Sequence, residues 1–208
     1  VSEVLVPTAR TTLSKVDFAA ALLSTWPDAT KEEAGVLWAH FAGETASGQD
    51  CFNWNLGNVK HVKGDGHDYV ALAGVWEGVT PDRVEGLLGS GEWTIDPSSD
   101  HAAAVGPGKV ALRATPQNPA SWFRAYPSAI AGMTEFVESK ETGRWASVWG
   151  FVLAGDPDGY ARELGRLEYY TASPDRYAAN MRARFAEWMA STAFEDASAH
   201  AVDPSEGP

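Results

Sequence analysis

Apolar residues recur at helical spacing in two stretches near the start of the chain. Ser14, with Asp17 three residues on, reads as an N-cap pair, and Phe18, Leu22 and Leu23 give one apolar face until Pro27 stops the segment. Thr30 and Glu33 repeat the pattern, and Ala34, Leu37, Trp38 and Phe41 carry a second helix to about residue 46. From Lys60 to Thr115 the texture changes: glycines and turn pairs separate short runs such as DYVALAGVW and KVALRA, which predict strands, with one brief helix from Thr80-Pro81 through Leu88. The helical pattern returns from Ser121. Ser128 opens a segment through Ile130, Met133, Phe136 and Val137, another runs from about Arg144 to Leu153, and Asp156-Pro157 and Ser173-Pro174 each place a cap residue before a proline. The last helix carries Tyr177, Met181, Phe185 and Trp188 on one face. Residues 193–208, acidic, small and proline-containing, read as a disordered tail. The plan is α+β, one domain over residues 1–192 with a β-lobe at about 60–118.

One acid changes this picture. Leu37, Phe41 and Glu44 follow the i, i+4, i+7 pattern, so Glu44 falls on an apolar stripe, facing inward or into a cleft. Desolvation raises the pKa of such a carboxyl, which then holds the proton that a general acid delivers to a glycosidic oxygen. A helix-end Glu paired with an Arg fits the same spacing. Asn53, Asn55 and Asn58 follow at once, suited either to build a turn or to bind a polar ligand, with Trp38 and Trp54 as flanking stacking surfaces.

Composition narrows the function. Nine Trp, eight Phe and six Tyr in 208 residues suit a groove that stacks sugar rings, although a helical core also absorbs large aromatics. The net charge of −12 and the lack of a basic stripe argue against nucleic acid as a partner. A single cysteine, Cys51, rules out an intrachain disulfide and any multi-cysteine zinc site. No apolar run reaches membrane-spanning length, and the opening VSEVLVPTAR lacks a signal-peptide layout, so action outside the cytoplasm implies either another delivery route or a sequence trimmed of its leader.

Glu44-Thr45-Ala46-Ser47-Gly48, followed by Asn55-Leu56-Gly57-Asn58-Val59-Lys60, resembles the paired motifs E-T/S-G-x-G and N-L-F-G-I/V-K of the peptidoglycan glucosaminidases of glycoside hydrolase family 73. These are bacterial and phage enzymes that include the flagellar rod-associated cell-wall hydrolases. Ala46 replaces the first motif glycine, and Gly57-Asn58 replaces Phe-Gly. Trp122-Phe123-Arg124-Ala125-Tyr126-Pro127-Ser128 is similar to the family's F-R-x-Y-x-S, and residues 153–178 are similar to the stretch ending near Y-A-T-D-P-x-Y-A, with Ser173 in place of the aspartate.

The resemblance implies a lysozyme-like fold, a helical lobe and a small β-lobe across a cleft. It implies an endo-β-N-acetylglucosaminidase with Glu44 as proton donor and peptidoglycan glycan strands as partner. It implies a second carboxylate from the β-lobe, for which Glu77 in Val75-Trp76-Glu77 is the nearest counterpart, with Asp65, Asp68, Glu92 and Asp96 in competition. Asn55, Trp54, Asn58, Tyr126 and Tyr170 would shape the groove. No cofactor is expected, and the chain is expected to be a monomer acting on the bacterial wall after phage lysis, effector delivery or attachment to a virion or secretion apparatus. A muramidase or lytic transglycosylase of the same fold, or a catalytically silent glycan-binding module, are the rival readings. His61, Asp65, His67 and Asp68 are ligand types without a recognised metal spacing, so no metal is expected, and nothing around Cys51 marks a thiol nucleophile.

Overall fold

The computed structural model describes residues 3–170 and 173–201. In chain order the helices are α1 (Lys15–Thr25), α2 (Lys31–Glu44), α3 (Pro81–Gly89), α4 (Ser99–Ala104), α5 (Ala129–Glu141), α6 (Trp149–Leu153), α7 (Pro157–Arg166), α8 (Pro174–Met189) and α9 (Ala193–Ala201). The strands are β1 (Tyr69–Ala71), β2 (Trp76–Val79), β3 (Trp93–Ile95), β4 (Val110–Ala114) and β5 (Trp122–Arg124). This is the expected α+β composition, divided into two compact units. Residues 9–58 and 126 onward form a helical unit, and residues 1–8 and 59–125 form a β unit, wider than the expected 60–118 and joined by an N-terminal arm.

In the helical unit both expected capping boxes form. Ser14 and Thr30 accept the Asp17 and Glu33 N–H groups while those carboxylates reach back to the cap backbone. Helix α2 is buried on every side from Ala34 to Ala42, not along one stripe. A helix apolar all round is a core helix. Its neighbours come close because Gly35 carries no side chain: a Cβ there would stand 2.8 Å from Trp188 Cδ1 and 2.9 Å from Phe185 Cε2. Phe18, Trp38, Phe41 and Trp188 pack as one aromatic cluster with centroids 5.1–5.9 Å apart, so Trp38 belongs to the core and not to a stacking surface.

The expected disordered tail is corrected over its first part. Ala193–Ala201 is helical, Ala193 and Ala197 are buried, and the helix packs on α1. The Thr192 hydroxyl donates to Asp196 at 2.9 Å, and Lys31 pairs with Glu195 at 2.8 Å. Alanines one turn apart allow close approach with little apolar mass, so composition alone concealed the helix. Residues 202–208 of that tail, and Thr171 and Ala172 within the later motif, lie outside the described residues.

In the β unit, β2, β4 and β3 make an antiparallel sheet in that order, with Glu77 opposite Leu112 and Thr94 opposite Arg113. Strands β1 and β5 form a separate antiparallel pair with Tyr69 opposite Arg124, and the arm adds alongside through Val6 N–H to Tyr69 O at 2.9 Å. Two expectations change here. The run DYVALAGVW is not one strand but β1 and β2 in different sheets, broken where Gly74 takes φ +85°. Trp122–Arg124, expected to begin the helical return, is strand β5, because its backbone is captured by β1.

Candidate active site

Glu44 is the last residue of α2, and Thr45 caps the helix, its N–H and hydroxyl both donating to Phe41 O at 3.0 and 2.6 Å. The chain then turns through three successive left-handed residues, Ala46 (φ +48°), Ser47 (φ +59°) and Gly48 (φ +84°). Gly48 is obligatory, since a Cβ would meet Leu13 O at 2.3 Å. Asn58 also takes a positive φ, +49°, and is the residue type that best replaces glycine in that region. Its side-chain amide donates to the Glu44 carbonyl at 3.0 Å, which ties the two motif segments together.

The Glu44 side chain is half-buried, and the Tyr177 hydroxyl donates to its Oε1 at 3.3 Å. Burial raises the carboxyl above its ordinary value, and Tyr177, Asn58 and the Lys140 charge only partly offset this. One helical turn earlier lies His40, fully buried between two phenols, with Nδ1 3.0 Å from Tyr160 Oη and Nε2 3.0 Å from Tyr169 Oη. Burial, then the Lys140 charge, holds this ring neutral by pushing its pKa well down. Burial, and next the charge of Glu44, pushes the Tyr160, Tyr169 and Tyr177 hydroxyls up, so they stay protonated donors. A half-buried carboxyl shifted upward beside a phenol is an arrangement able to carry a proton and pass it to a bound oxygen.

His40, Tyr160, Tyr169, Tyr177 and Lys140 were missed by the sequence reading. Lys140 had a signal: it continues the buried stripe Met133, Phe136, Val137, Lys140 at i, i+3, i+4, i+7. His40 sits inside the uninterrupted buried run of α2.

The expected groove residues separate. Tyr170 stacks on Tyr177, centroids 3.9 Å apart, one ring away from Glu44. Asn55 and Tyr126 are buried, 3% and 8% exposed, which favours the turn-building alternative for Asn55 and makes both interior groups in the free protein. Trp54 lines a cavity of about 440 Å³ with Leu13, Ala21 and Ile130, and Glu44 is not among its walls. A smaller cavity, about 170 Å³, is lined by Gly43, Tyr177, Asn180 and Arg184, next to Glu44 in chain and through its tyrosine partner. A cavity of about 520 Å³ between α1, α5 and α6, walled by Trp26 and Trp149, contains none of the expected site residues.

Within the β unit, Glu77 is exposed on β2, in charge range of Lys60. Two of its competitors are engaged by arginine. Asp96, with a fully buried side chain, accepts Arg113 Nε and Nη2 at 3.2 Å and lies 3.0 Å from His101 Nδ1. Asp65 accepts Arg124 Nε at 2.9 Å. Asp68 Oδ1 accepts the Val4 N–H at 3.0 Å, and Glu92 is exposed. Glu3, His61 and Asp65 have ligand atoms within 4.8 Å of one another, a grouping that the sequence reading, without Glu3, did not reach. Here the His61 ring is contacted on both edges, by Asp65 at 3.1 Å and Glu3 at 3.6 Å, while Glu3 also accepts the Gly64 and Gly66 N–H groups at 3.0 and 2.8 Å. Arg124 is ion-paired with Asp65, and the contacts of Glu3 tie the arm to the loop that follows His61. Burial pushes the Cys51 thiol up, away from the reactive thiolate.

Neither a family model, nor a curated protein, nor a solved structure matches this chain. Among the described residues no helix is long and apolar enough to cross a membrane.

Proposed function

We propose that the chain is a peptidoglycan hydrolase of lysozyme-like fold that cleaves the β-1,4 bond following N-acetylglucosamine, with Glu44 as general acid. The observation that carries this reading is the Glu44 environment: a half-buried carboxyl with a raised pKa, bonded by a phenol and not by a guanidinium, at the head of the E-T-A-S-G turn. Protonated Glu44 gives its proton to the glycosidic oxygen as the C–O bond breaks, leaving an oxocarbenium-like centre on the sugar. Glu77 is the proposed second carboxylate, assisting water or the developing charge, unless the substrate's own N-acetyl group serves. Tyr170, Tyr177 and Asn58 are the proposed sugar contacts near the acid. The reaction needs no cofactor, and its place is the bacterial wall.

Product analysis of digested sacculi by mass spectrometry tests this, on wild type beside Glu44→Gln and Glu77→Gln. N-acetylglucosamine reducing ends that vanish with Glu44→Gln are expected. N-acetylmuramic acid ends indicate a muramidase, and anhydro ends a transglycosylase. A wild type that binds the wall and releases nothing from any peptidoglycan overturns the enzymatic reading.

A further inference from the structure

The groups around Glu44 come from several elements. His40 lies on its own helix, Tyr160 on α7, Tyr169 after α7, Tyr177 on α8, and Lys140 and Glu135 on α5. His40 is neutral and the phenols are protonated, so among the described residues the buried cation whose charge is felt by both Glu44 and His40 is Lys140.

Lys140 is unusual for a lysine. It is 2% exposed, its Nζ lies 4.1 Å from the Phe136 ring centroid, and it donates to Ser139 Oγ at 3.1 Å. A cation is almost never buried in this way unless it is paired. The turn makes room for it: a Cβ on Gly57 would lie 3.5 Å from Nζ and 3.1 Å from Phe136 Cδ2, so a bulky side chain at position 57 would collide with both. The next residue, Asn58, is the one bonded to the Glu44 carbonyl.

We propose that Lys140 is a positioning residue for Glu44, a buried ammonium beside the Gly57-Asn58 turn that supplies the counter-charge for the carboxylate formed when the acid gives up its proton. This rests on the reading of Glu44 as the proton donor. When the proton passes to the leaving oxygen and the C–O electron pair goes with that oxygen, Glu44 becomes an anion in a half-buried site. A fixed cation nearby favours that state, and burial keeps the acid protonated beforehand. The lysine is itself poised for the role: burial pulls it down to about 7 against the pull of Glu44 and Glu135. Its charge is therefore present below neutrality and fades above.

Two reciprocal titrations by carbon-13 NMR test the coupling without requiring turnover. In Lys140→Met the Glu44 carboxyl is expected to titrate roughly one pH unit or more higher, the usual effect of losing a nearby opposite charge. In Glu44→Gln, a nearly isosteric change at a half-exposed position, the Lys140 amine is expected to titrate lower than in wild type. The basic limb of sacculus hydrolysis should move up in Lys140→Met with Glu44. If Lys140→Met does not fold, the Glu44→Gln arm decides alone. A Lys140 titration unchanged in Glu44→Gln, or a Glu44 titration unchanged in folded Lys140→Met, overturns the proposal. Coupled titrations in a protein that hydrolyses no wall would retain the pair and remove the glycosidase reading.

Discussion

Glu44 in the helical unit is half-buried and the Asp96 side chain in the β unit is fully buried, yet their carboxyls are shifted in opposite directions. Burial pushes each carboxyl up. At Asp96 the Ser98 N–H, His101 and the two-pronged Arg113 outweigh burial and hold the group at about 2. At Glu44 the partners are a phenol, an amide and a cation that is itself costly to keep charged, and burial prevails. Partner chemistry, more than depth, decides the direction in which a buried carboxyl shifts.

Neutralising each acid in turn should have very different consequences. Glu44→Gln is expected to lower hydrolysis of purified sacculi by roughly 10²–10⁴-fold with the fold retained, the usual worth of a general acid. Because the donor must be protonated, wild-type activity should fall as pH rises through the elevated Glu44 value. Asp96→Asn should leave turnover largely intact and act on acid resistance. A carboxylate depressed in the folded state contributes stability above its unfolded value near 4, lost as pH falls through about 2. Protection of β3 and β4 amides from hydrogen exchange at pH 3 should therefore be lost selectively in Asp96→Asn. Equal loss of activity in both variants would undo the distinction.

The Glu44 setting also depends on packed backbone where the Asp96 setting depends on ion pairs. Helix α5 lets the Asn53-Trp54 turn rest on it only because Gly132 has no side chain: a Cβ would stand 2.0 Å from Trp54 O. Gly132→Ala should cost about 3 kcal/mol by overpacking against backbone that cannot yield, read from urea unfolding.

A third test uses pH. Lys140 titrates at about 7 when folded and near 10.4 when unfolded. Below pH 7 both states carry the proton and the cost of a buried cation is fully present. Above it the unfolded chain binds a proton that the folded one does not, so this group alone makes stability rise with pH by about 1.4 kcal/mol per unit. The difference in unfolding free energy between Lys140→Met and wild type should therefore shrink between pH 7 and 8.5. A constant difference would show that the lysine is not buried as a cation.

Helix starts were legible because capping is local chemistry. Ser14, Thr30, Ser128 and Asp156 all accept the expected N–H groups. The half-buried setting of Glu44 was legible for a partly mistaken reason, since α2 is buried all round and it is the helix end that brings the acid toward the surface. What sequence did not disclose depends on distant partners. The assignment of β1 and β2 to separate sheets, the capture of Trp122–Arg124 by β1, and the meeting of Glu3 with His61 each join residues far apart in the chain. Tyr177 was visible only as one face of a helix, and its bond to Glu44 spans 133 positions.

The smallest effect concerns the turn after Glu44, and it separates strain kept for geometry from strain with no purpose. Ala46 and Ser47 are exposed non-glycine residues at φ +48° and +59°. The left-handed region costs an L-residue roughly 1–2 kcal/mol, and a glycine there gives back only part of that gain as chain entropy in the unfolded state. Ser47 has compensation, because its hydroxyl accepts Arg184 Nη1 at 2.9 Å. Among the described contacts Ala46 offers only its carbonyl, which accepts the Gln49 N–H at 3.4 Å and would do so equally as glycine. Ala46→Gly should therefore raise stability by about 0.5–1 kcal/mol, measured as a shift in the urea midpoint at constant slope. If the turn's only task is to set the position of Glu44, turnover should be unchanged. If Ala46→Gly stabilises the fold and lowers turnover, the methyl group belongs to the site, and the departure from the motif at position 46 acts on the substrate.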